Sequence, residues 1–160
     1  MPFLTAMLAG AVAWRPAERA PSAGELLART ELACYVAGWP GSNDLGVFAA
    51  TRVSVGAAWS RCFTVGDPGY GFVAPDVPEL SISVPEGWRG RGAGRLFLDG
   101  LIDRARVAGH HRFGLSVEPA NPAVHLYRSL GFETLGGSGG ARTLVRTPCR
   151  TLCRTLCRPR

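Results

Sequence analysis

The 160-residue sequence has no lysine at all; its 18 basic residues are all arginine. With 21 glycines and 12 prolines, that bias marks a GC-rich coding genome, bacterial and actinobacterial-like. Without lysine there is no Walker loop, whose Gly-Lys-Ser/Thr places an ammonium on the phosphates. No apolar run reaches the roughly 18 residues of a membrane-spanning helix, so no membrane partner is expected. Cysteine is sparse and uneven. Cys34 and Cys62 stand singly, while Cys149, Cys153 and Cys157 recur every fourth residue near the end. An even set spread through a small loop-rich core would read as a disulfide scaffold; this pattern predicts a reducing, cytoplasmic setting instead. The apolar opening ends in Ala11-Val12-Ala13, like a signal-peptide cleavage site, but no positive residue precedes it. A first amphipathic helix is the reading taken.

Acid is missing from one stretch only. Residues 1–141 hold twelve arginines against twelve acids, whereas residues 142–160 hold six arginines and none. The formal charge of +6 therefore belongs to the end of the chain, and no specific nucleic-acid partner is expected. From Arg146 the chain repeats Arg-Thr-Pro/Leu-Cys three times, which is low complexity. One domain over residues 1–145 and a tail over 146–160 are expected. Cysteines four apart share a helix face, but no His or acid stands near to complete a metal site, so no metal is expected.

What is present is ordinary globular patterning, 46% hydrophobic and 19% charged. Residues 3–14 read as a helix stopped at Arg15-Pro16. Ser22 with Glu25 forms a capping box for a second helical stretch reaching Val36. Turn residues follow, then two strand runs, 45–50 and 53–63, separated as a hairpin. Residues 64–78 read as an irregular loop. Leu80, Ile82 and Val84 alternate with Glu79, Ser81 and Ser83, the period of a half-buried strand. Apolar spacing from Leu96 to Ala105 predicts a helix ending near Gly109. A strand through Phe113, Leu115 and Val117 follows, then a short helix from Asn121 to Leu130. Two last strands, 132–135 and 143–145, flank a Gly-Ser-Gly-Gly turn.

Arg89-x-x-Gly92-x-Gly94 lies between strand and helix, where exposed N–H groups and the helix dipole attract an anion. A dinucleotide fingerprint fails here, because it needs glycine or alanine where Arg95 or Phe97 stands. Downstream comes Asn121-Pro-Ala-Val-His-Leu-Tyr127-Arg-Ser-Leu-Gly-Phe132. Together these segments resemble the GNAT acetyltransferase superfamily over residues 3–145, most specifically from Glu79 to Phe132.

The resemblance implies an α+β fold: a mixed, mostly antiparallel sheet whose two central parallel strands, 79–84 and 113–117, splay apart. The strand that usually precedes the first helix in this superfamily has no counterpart in this sequence. The resemblance further implies acetyl-coenzyme A as co-substrate, with pantetheine bonded near Ile82 and Val84. Arg89, Gly90, Arg91, Gly92, Ala93, Gly94 and Arg95 would hold the diphosphate, and Asn121 the pantetheine or acetyl end. Tyr127 would be the general acid for the departing thiolate, or else a core tyrosine between helix and sheet. The N–H near Val84 would be the oxyanion donor. Glu79 is either the general base, acting through water, or a solvated strand-end carboxylate. Ribosomal-protein acetyltransferases of this superfamily place a glutamate where Ser116 stands, which argues against protein N-termini as acceptors.

The expected activity is direct acetyl transfer to a primary amine, with a small-molecule acceptor and a monomer or homodimer. The alternative is a protein that senses an acyl-coenzyme A without turnover. Trp39, Tyr70 and Phe72 either border the acceptor groove or plug the domain's end. His125 is read as a surface or packing residue, and His110 and His111 as favourable partners of the long helix's C-terminal dipole.

Overall fold

The computed structural model describes residues 2–15, 17–50 and 54–147. Its elements, in order, are α1 (Pro2–Val12), α2 (Ala23–Leu27), α3 (Thr30–Ala33), β1 (Leu45–Ala50), β2 (Ser54–Arg61) and β3 (Glu79–Ser83). After a 3-10 turn at Glu86–Trp88 come α4 (Ala93–Val107), β4 (Phe113–Val117), α5 (Ala123–Ser129), β5 (Phe132–Ser138) and β6 (Ala141–Arg146). No strand precedes α1 among the described residues. The tail beyond Thr147, with its three cysteines, lies outside them.

The strands form one sheet in the order β1-β2-β3-β4-β6-β5. Every neighbouring pair is antiparallel except β3 and β4, which are parallel. A parallel pair needs a crossover, and α4 supplies it. Residues Phe97, Leu98, Leu101, Ile102 and Ala105 put one buried stripe along α4. Leu98, Leu101 and Ala105 are fully enclosed with Phe113, Leu115 and Leu144 of the sheet. Each leucine so buried contributes about 1.5–3 kcal/mol. On the opposite face, Leu4, Met7 and Leu8 of α1 pack with Leu26, Tyr35, Trp59 and Phe63. The sheet is thus sandwiched between helices.

The capping box forms as its sequence predicts. Ser22 Oγ accepts from Glu25 N–H and the Glu25 carboxylate accepts from Ser22 N–H. Arg19, Ser22 N–H and the Ser22 hydroxyl hold the Glu25 carboxyl down to about 2. The helical stretch to Val36 breaks into two short helices at Ala28 and Arg29. The half-buried strand reading of residues 79–84 does not hold. Glu79, Leu80 and Ser83 are all buried, because α4 covers one face of β3 and α1 the other. The final hairpin turns at Gly139 and Gly140, and the two glycines before them belong to β5.

Candidate active site

The parallel strands meet at a single register pair, Glu79 with Gly114. One further bond, Gly114 N–H to Pro78 O at 3.0 Å, closes the base of this junction. Beyond it the strands diverge toward Ser83 and Val117. Segment 69–72 lies over the base: Gly71 O is so close to Gly114 that a Cβ there would stand 2.7 Å from it. Leu80, Ile82 and Val84 pack with the α4 core. Ser83 faces α1, its Oγ 2.9 Å from where a Cβ on Gly10 would lie.

From the open end of this junction the chain turns into α4. Gly90 and Gly92 have φ of 70° and 82°, a region L side chains avoid. The first α-helical bond of α4 runs from Leu96 N–H to Gly92 O at 3.1 Å. The N–H groups of Ala93, Gly94 and Arg95 therefore have no intrahelical acceptor, and no acid stands in that first turn. A Cβ on Gly92 would meet nothing within 4 Å, so the space above it is open. On Gly94 it would stand 3.1 Å from Leu126 Cδ2, so this glycine lets α5 approach α4. The cradle of open space, positive φ and orphan donors fits a diphosphate.

The three arginines of this loop have separate partners. Arg89 Nε donates to Val84 O at 2.8 Å, and its Nη1 to Trp14 O at 3.4 Å. Arg91 lies 6.0 Å from the Trp88 ring centre. Arg95 Nη2 donates to Ser129 Oγ at 2.5 Å, tying α4 to α5. Asn121 Oδ1 accepts from Ala123 N–H at 2.9 Å and so starts α5. On that helix Tyr127 is buried, its ring edge-on to Phe132 at 6.0 Å. Burial pushes its phenol up to about 12.

Glu79 is no solvated strand end; only 3% of it is exposed. Its Oε1 accepts from Tyr35 Oη at 2.6 Å and from Gly71 N–H at 2.8 Å. Tyr35 Oη in turn accepts from Tyr70 N–H at 2.7 Å. Oε2 has no partner among the described residues and lies against Gly69. Burial raises the Glu79 carboxyl above the ordinary range, and the Tyr35 and Gly71 bonds offset part of that rise.

Tyr70 is exposed and stacked on Tyr35, with ring centres 6.5 Å apart. Trp39 covers Gly46, and Phe72 packs partly buried beside α1. His125 is exposed. Sequence reasoning missed Tyr35, Trp14, Arg15 and Glu118. Trp14 Nε1 and Arg15 Nη2 both donate to the Glu118 carboxylate. Only Glu118 carried a signal, as a carboxylate directly after the strand that ends at Val117.

The model of the acetyltransferase (GNAT) family matches residues 21–132. Streptothricin acetyltransferase of Streptomyces lavendulae is 35% identical over 95 residues, 59% of this chain and 41% of that protein. L-methionine sulfoximine/L-methionine sulfone acetyltransferase of Pseudomonas aeruginosa is 42% identical over 59 residues, 36% and 34% of the two chains. The match spans less than half the length of either relative. Among solved structures, the PaiA N-acetyltransferase of Thermoplasma acidophilum in complex with coenzyme A superposes with a TM-score of 0.63 at 14% identity, covering 90% of each chain. Ribosomal-protein-alanine N-acetyltransferase of Brucella melitensis gives 0.60 at 24% identity, over 91% of this chain and 93% of that one. At these identities the structural likeness is one of fold.

Proposed function

Because the chain belongs to the acetyltransferase (GNAT) family, we propose that it transfers an acetyl group from acetyl-coenzyme A to the primary amine of a small molecule, by direct attack in a ternary complex. One observation carries this reading. The facing edges of β3 and β4 part after one register pair and open onto the positive-φ turn at the start of α4. When bound, the co-substrate supplies an activated thioester. The N–H groups of Ala93, Gly94 and Arg95 hold its diphosphate, helped by the charges of Arg89, Arg91 and Arg95. Main-chain groups at Ile82 and Val84 line the slot for its pantetheine arm. Gly90 and Gly92 give the loop its path, and Asn121 sets the start of α5 beside that slot.

Tyr127 keeps its proton at neutral pH and donates it to the departing thiolate. Glu79, whose burial raises its affinity for a proton, takes one from the acceptor's ammonium group through water. Tyr35 and Gly71 N–H fix the orientation of that carboxylate. The names of the relatives, an antibiotic and an amino-acid analogue acetyltransferase, support a small acceptor rather than a protein. In this reading the enzyme is a cytoplasmic monomer or homodimer. A thiol-release assay over a panel of primary amines, run beside coenzyme A calorimetry, is the test. Binding with turnover is the expected result. Binding without any turnover assigns the chain as an acyl-coenzyme A sensor, and no binding removes the reading altogether.

A further inference from the structure

The segment after α1 crosses the open end of the junction between β3 and β4. On the β3 side, Trp14 O accepts from Arg89, which is itself bonded to Val84 O. On the β4 side, Trp14 Nε1 donates to Glu118 Oε1 at 3.4 Å, and Arg15 Nη2 donates to Glu118 Oε2. Phe113, Leu115 and Val117 point into the α4 core, so Gly114 and Ser116 belong to the α1 face, and Glu118, the residue after the strand, is held on that side by Trp14 and Arg15. Glu118 thus stands on the same face as Glu79, Ser81 and Ser83, at the mouth of the junction.

The Arg15 guanidinium lies 4.6 Å over the Trp14 ring while paired to Glu118. An aromatic face beside a carboxylate is a donor set for an organic cation. The present occupant is weakly held. The Arg15 and Glu118 side chains are 48% and 40% exposed, and an exposed ion pair of this kind contributes little and exchanges readily. Arg15 also has a second acid within reach, Glu18 Oε2 at 3.8 Å, to receive it on leaving. Glu79 does not compete for this cation: Oε1 accepts from Tyr35 and Gly71, and Oε2 is buried against Gly69.

We infer that Trp14 and Glu118 form a cation subsite which Arg15 fills in the free protein, and that the acceptor is an amine with a second positive group that takes Arg15's place. This deepens the acetyl-transfer reading and rests on it for the word acceptor. The probes are 1,5-diaminopentane and pentylamine, matched in length and differing by one charge. The wild-type chain has a higher kcat/KM for the diamine. Glu118→Gln, which keeps the shape and can still accept from Trp14, lowers that ratio tenfold or more through KM. Arg15→Ala raises it. An equal ratio for wild type and Glu118→Gln overturns the subsite.

A binding readout separates the two readings. In Arg15→Ala protein the Trp14 indole N–H resonance, assigned by its loss in Trp14→Phe, is titrated with agmatine. A saturable shift that vanishes on adding Glu118→Gln supports the subsite even where no amine is acetylated, in which case only the acetyl-transfer reading falls. No shift, or one that Glu118→Gln leaves intact, removes the subsite whatever the enzyme acetylates.

Discussion

Tyr127 combines a proton held to about pH 12 with a ring locked against Phe132. Tyr127→Phe keeps the ring and removes only the hydroxyl. Turnover is expected to fall about 10²–10⁴-fold, the range of a positioned acid, with coenzyme A affinity nearly unchanged. Steady-state kinetics beside calorimetry check this, and a large drop in melting temperature with unchanged turnover would assign the residue to packing alone.

Glu79 yields a pH prediction whose sign follows from burial. Its folded value lies above the ordinary 4.5, so between the two values the native state holds a proton that the unfolded chain has lost. Stability is therefore full below 4.5 and declines as pH rises through the folded value. Glu79→Gln removes this dependence, so its melting temperature gains on wild type as pH rises. As a base the group works only when ionised, so wild-type turnover falls on acidification at a pH above the ordinary carboxylate range. The packing of Tyr127 was legible, because Leu126 and Leu130 beside it mark an apolar setting between helix and sheet. The state of Glu79 was not, since its partners lie 44 and 8 residues away in sequence.

Among the elements, the turn into α4 separates two glycines that the sequence presents as equals. At Gly92 the cost of a side chain is conformational, about 1–2 kcal/mol for a left-handed residue, and the added atoms project into the open cradle. Gly92→Val is expected to fold and to lose coenzyme A binding in calorimetry, and normal affinity in the folded variant would remove the diphosphate assignment. At Gly94 the added methyl would stand 3.1 Å from Leu126 Cδ2, the end of a flexible side chain, so Gly94→Ala asks only for a small movement of that leucine and leaves the cradle open. Gly71 is the stricter case. A Cβ there would overlap the backbone of Leu115 and Ser116, which cannot swing aside as a side chain can. Gly71→Ala should cost about 1–3 kcal/mol or more, seen in denaturant melts, by lifting segment 69–72 off β4.

Strand and helix order was readable from hydrophobic period together with capping and turn residues, with α4 starting three residues earlier than its apolar spacing indicated. Segment 64–78 was readable only as irregular. Its close approach to β4 depends on glycines whose roles appear once the sheet is assembled.

At the scale of the molecule, the sheet of the described residues ends at Arg146 and charge is balanced before Arg142. Truncation after Thr147 is expected to leave melting temperature and coenzyme A affinity unchanged; a large loss of either would make the last thirteen residues part of the domain. The junction at the candidate active site also divides the sheet. One register pair joins the half-sheet β1-β2-β3 to the half-sheet β4-β6-β5, with the α4 core as the common floor. The two halves are leaves that share one short main-chain seam at Glu79 and Gly114. A molecule seated between the leaves would act as the missing row of rungs, carrying load across the sheet. Amide exchange would slow along both inner strands at once, including Val117 on the leaf farther from the turn into α4.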